Sequence, residues 1–125
     1  RALGREYERF EVTDVVIGQV LAHAPVDEAD GAWPHCFVRD EIERAASNAL
    51  ERGIQTERFN MRGVTTRGVY DGGDQERVLV EEYQGYARAS HRWPRTADML
   101  ERMAAGWKRD ADREDLEVRL RRLRD

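Results

Sequence analysis

The sequence contains one cysteine, three prolines and, among its 21 basic residues, a single lysine, Lys108. With Cys36 alone, no disulfide can close within the chain, and a reducing, cytoplasmic setting is the simpler expectation. No apolar run approaches the roughly 20 residues of a membrane-spanning helix, and no secretory signal core is present. Also absent are the Gly-x-Ser-x-Gly elbow, the Gly-x-Gly-x-x-Gly fingerprint and the phosphate-loop pattern. Without a nucleotide-binding loop, the string Asp27-Glu28-Ala29-Asp30 carries no helicase meaning.

Metal-ligand spacing is lacking as well. The candidates His23, His35, Cys36 and His91 include no pair at the short fixed intervals of zinc sites, so neither a metal nor any other cofactor is expected. Cys36 as a nucleophile would need one of those histidines as base, but Phe37 and Val38 beside it favour an inert, buried thiol. Acidic pairs such as Glu81-Glu82 and Asp110/Asp112 lie among arginines, where solvated ion pairing is the default. No catalytic residue emerges.

What is abundant is charge: 37% of the 125 residues are charged, with a net of −4. A net negative protein is not a general coater of duplex DNA, whose affinity comes from neutralised phosphates. The acidic excess sits in residues 1–54, and the remainder is nearly balanced. Arginine dominates along the whole length, as codon bias in a GC-rich bacterial genome would produce. The length suffices for one hydrophobic core, and residues 1–125 read as one helical domain. Because the first residue is Arg1, a processed form or a piece of a longer protein is expected.

Periodicity predicts helices. Leu100, Met103, Ala104, Trp107 and Ala111 keep helical spacing, and Leu116, Leu120 and Leu123 continue it amid charge, giving one long C-terminal helix over 96–124 with Thr96 as N-cap. A second helix is predicted over 40–52, on Ile42, Ala45, Ala46, Ala49 and Leu50, with an Asp40–Glu43 capping box and Gly53 just past its end. A third runs over 75–89, capped by Asp74, with Leu79, Tyr83 and Tyr86 buried. The segment 10–24 reads as helix or strand. Helix is preferred, with Thr13-Asp14 as its start and Pro25 as its stop, because Leu3, Tyr7, Phe10, Ile17, Leu21 and Ala24 keep a rough 3-4 spacing broken by Asp14, and a lone strand would have nothing to pair with. Residues 25–35 are expected to form an acidic, breaker-rich loop.

The resulting fold class is mainly α: an irregular bundle of three to four helices with a Gly/Arg-rich loop or small hairpin near 56–73 and a long C-terminal helix. Two features rise above scaffold. Leu116, Leu120 and Leu123 form a thin apolar stripe on a highly charged helix, which is expected to dock on the domain, on another subunit or on a missing part of a longer protein. Arg58, Arg62, Arg67 and Arg77 surround glycines that permit an anion-binding nest. The leading expectation is a non-enzymatic helical module for protein interaction or self-assembly. The alternative is an anion- or nucleic-acid-binding module using the loop 58–77. A membrane partner is not expected, since the C-terminal helix is too evenly charged to lie on a bilayer.

Overall fold

The computed structural model describes residues 2–62 and 72–124, residues 2–10 as backbone only. Five helices follow one another: α1 (Ala2–Leu21), α2 (Cys36–Ala45), α3 (Asn48–Met61), α4 (Asp74–Ala89) and α5 (Pro94–Arg124). No strand occurs among the described residues. The protein is thus a mainly α bundle with a long C-terminal helix, and among the described residues no helix is long and apolar enough to cross a membrane.

α4 and α5 form an antiparallel hairpin through the tight turn at 90–93, and α2 crosses the start of α5. The core gathers Trp33, Val38, Ile42, Leu50, Ile54, Tyr83, Ala87, Met99, Leu100, Met103, Ala104 and Trp107. Leu79 and Tyr86 pack on its edge beside buried Tyr83, so α4 buries the expected stripe.

α1 runs alongside α3 in the same direction: Asp14 accepts from Ser47 Oγ at 2.7 Å, and His23 meets Glu57 at 2.7 Å. Between them two glycines abut the facing backbones. A Cβ on Gly18 would lie 2.9 Å from Ile54 N, and one on Gly53 would lie 3.0 Å from Val15 Cα. Gly53 is therefore a packing residue inside α3 and does not terminate a helix.

The predicted 40–52 helix is two helices. Ala46 adopts φ 47, ψ 45 and closes α2, and Ser47 then caps α3 by accepting from Leu50 N at 3.1 Å. The apolar series 42, 45, 46, 49, 50 continues across this break, which hides it from a periodicity reading. α3 extends to Met61, so residues 56–61 are helical; residues 63–71, where a hairpin was expected, lie outside the described residues.

The predicted caps fail in a common way. α1 runs straight through Thr13-Asp14 and ends at Leu21, ahead of Pro25. Asp40 and Glu43 lie inside α2, which starts at Cys36 with His35 as N-cap. Glu43 reaches instead to the start of α5, where its carboxylate accepts from Arg95 N, Thr96 N and Thr96 Oγ1, each at 2.9 Å. α4 takes Gly73, not Asp74, as N-cap, and Gly73 N donates to Asp115 Oδ1 at 2.9 Å. Helix starts attract negative charge and need acceptors for free N–H groups. In α4 and α5 those acceptors come from another helix.

Candidate interaction surface

Three of the four arginines singled out from the sequence fall within the described residues, and each has its own internal partners. Arg58 lies 4.1 Å over the Trp33 ring, donates to Tyr83 Oη at 3.0 Å and to Ala22 O at 3.3 Å. Arg62 pairs with buried Glu76 at 2.7 Å, donates to Gln75 and covers Trp107. Arg77 bridges Asp74 and Asp115, both at 2.6 Å. These acids raise the Arg77 pKa further, and Arg77, with the Gly73 N–H, holds Asp115 below the usual carboxylate range. The three guanidinium groups serve separate contacts and do not converge on a common pocket. Arg67 lies outside the described residues.

Catalytic geometry is equally sparse among the described residues. One cleft of about 240 Å³ between α3 and α5 is lined by Phe59, Met103, Trp107, Arg102, Arg109 and Asp110, with the Phe59 and Trp107 rings stacked at 4.8 Å. That is below the usual few hundred Å³ of a small-molecule site. A wider depression at the α2–α3 break contains Ser47 and Asp14, but the Ser47 hydroxyl is already spent on Asp14 and on capping. Neither holds a histidine or a cysteine.

The loop 25–35 is more ordered than its composition suggests. Arg39, 1% exposed, grips Asp30 with both terminal nitrogens, at 2.8 and 3.1 Å, and donates to Pro34 O and Ala32 O. The Trp33–Pro34 peptide is cis, and Trp33 Nε1 donates to Ala24 O. Asp27 is buried beneath this loop and comes within reach of His35 and Cys36. Donors from Cys36, backbone and thiol, hold the Asp27 carboxyl down at about 2. The same hydrogen bond, together with burial, pushes the Cys36 thiol up, away from thiolate nucleophile chemistry.

No protein-family model, curated protein or solved structure matches this chain.

Among the described residues, exposed apolar side chains form a run on α5 and another on α1, besides Val26, Phe37, Phe59, Met61 and Val78 elsewhere. On α5, Leu116, Leu120 and Leu123 are 51%, 44% and 83% exposed. Their spacing of four then three matches the alternation of a coiled-coil seam. On α1, Val12, Val16, Ile17 and Val20 are exposed, while Val15, Gly18 and Ala22 face α3. The rough 3-4 spacing along this segment includes Ile17, which is exposed, and does not reveal this second face. Three valines at intervals of four, on the side opposite Gly18, were the available signal. Gly18 decides which side is buried, because only a residue without a side chain admits the α3 backbone there.

Proposed function

We propose that the protein is a non-enzymatic helical module that associates with a second copy of itself through the exposed faces of α1 and α5. The observation that carries this reading is the α1 face: four β-branched apolar residues in one patch, on a helix that packs chiefly against α3. A rough energy comparison favours using both faces. Burying these three exposed leucines contributes about 1–2 kcal/mol each, whereas association costs about 4–15 kcal/mol in lost freedom and ordering. The α5 stripe alone is therefore marginal; the α1 residues roughly double the apolar contribution.

Light scattering after gel filtration, over a range of concentrations, tests the reading on the full chain. The wild-type protein is expected to form dimers or larger species. Val16→Glu plus Val20→Glu, and separately Leu120→Glu plus Leu123→Glu, are expected to return it to monomer with unchanged helix content. A wild-type monomer at every concentration would sink the proposal. The anion-binding alternative has less support, because Arg58, Arg62 and Arg77 are occupied by internal partners; salt-dependent binding of single-stranded DNA or RNA that is lost in Arg62→Ala plus Arg67→Ala would restore it.

A further inference from the structure

The residues Asp27, His35 and Cys36 carry a second inference, independent of self-association. Each offers one ligand atom, and the three atoms lie within 4.8 Å of one another. We infer that they form a site for a thiophilic divalent cation of the zinc type, joining the loop 25–35 to the first turn of α2.

Four observations support the assignment. First, the Cys36 Sγ to His35 Nδ1 distance is 3.8 Å. Tetrahedral zinc with bonds of about 2.3 Å to sulfur and about 2.0–2.1 Å to nitrogen sets these atoms about 3.6 Å apart, so little movement is needed. Second, the carboxylate is already oriented as a ligand needs to be. Asp27 Oδ1 accepts from Ala29 N at 2.8 Å and Oδ2 from Cys36 N at 2.9 Å, which leaves further lone pairs for a metal. Third, the loop that holds Asp27 is rigidly tied by Arg39 and Asp30, so the site is built before any ion arrives. Fourth, the burial is graded: Asp27 is buried, whereas His35 and Cys36 are half-buried, so an ion can enter and keep one position open to water or to a partner's ligand.

The chemistry balances simply. The Cys36 thiol now lies 3.8 Å from His35 Nδ1. On binding, the S–H bond breaks, a metal–sulfur bond forms, and the proton leaves to solvent. A dication then meets one thiolate, one carboxylate and a neutral imidazole, so the filled site is neutral. One existing contact is given up if His35 ligates through Nδ1, its cap on Phe37 N at 3.1 Å. That N–H lies at the surface, where water can replace the imidazole.

Cobalt(II) is the probe, because its absorption reports both thiolate ligation and tetrahedral geometry. With the full chain stripped by a chelator, one equivalent of Co²⁺ is expected to give a sulfur-to-cobalt charge-transfer band and intense visible bands, both displaced by Zn²⁺. Cys36→Ser abolishes the charge-transfer band. His35→Gln and Asp27→Asn each weaken binding by about tenfold or more, while His23→Gln and His91→Gln leave it unchanged. Because Asp27 also organises the loop, the His35 variant carries the test if the Asp27 variant fails to fold. No band at stoichiometric Co²⁺ would overturn the inference, as would a band equally strong in the His35 variant, which marks a lone thiol.

Discussion

Replacing Gly53 by alanine tests whether the α1–α3 contact is as close as described. In an ordinary helix interior this change stabilises by about 1 kcal/mol, because glycine is the poorer helix former. Here the new Cβ would sit 3.0 Å from Val15 Cα and closer still to the Val15 carbonyl oxygen. These are backbone atoms, which cannot swing aside as a side-chain tip can. The helices must part, and overpacking of this kind costs about 1–3 kcal/mol. Since α1 packs chiefly on α3, separation also loosens the rest of its contacts. We expect a net loss of about 1–2 kcal/mol, a fall in thermal midpoint of several degrees, and faster amide exchange over residues 11–22. Gly85→Ala and Gly106→Ala are the controls. Their added Cβ atoms meet only an arginine tip, at 3.7 Å, so both should raise the midpoint. A Gly53→Ala protein that gains stability like the controls, with unchanged exchange, would refute the close crossing.

Other variants test other links. Ala46→Gly should stabilise by about 0.5–1 kcal/mol, seen as a higher urea midpoint, because a left-handed φ of 47 strains alanine but not glycine. Arg39→Lys should destabilise by roughly 2–4 kcal/mol, read from the same titration, since an ammonium cannot replace a buried two-pronged grip on Asp30 together with two carbonyl contacts. A smaller loss than Asp30→Ala produces would contradict that role. Asp115 has a folded pKa depressed by Arg77 and by Gly73 N, so its contribution is present above the unfolded value of 3.8 and is lost as pH falls through the folded one. Asp115→Asn should therefore flatten the decline of stability with falling pH below about pH 4; a curve parallel to wild type would count against the Asp115 link.

Much of the secondary structure was legible because its causes are local. α4 and α5 show apolar residues at helical intervals on long charged segments, and the structure places them within two residues of the predicted bounds. The break at Ala46–Ser47 was not legible, because the apolar spacing continues through it. The arginines looked unanswered in sequence, since no acid lies between Arg58 and Tyr70. Glu76 and Asp115 answer Arg62 and Arg77 from other helices. For the cation cluster, His35-Cys36 was visible but Asp27 was not, because a turn nine residues long brings it back onto the start of α2.

By itself, then, the sequence determined that α4 and α5 would be helical over nearly their observed lengths, and that Leu116, Leu120 and Leu123 would share one stripe. Only the tertiary structure decided which side of α1 is buried and which acids cap which helices. Helical periodicity is a short-range property, written within a few residues by side-chain spacing. Capping and glycine-mediated packing depend on what another helix presents, over separations as long as the 42 residues from Gly73 to Asp115.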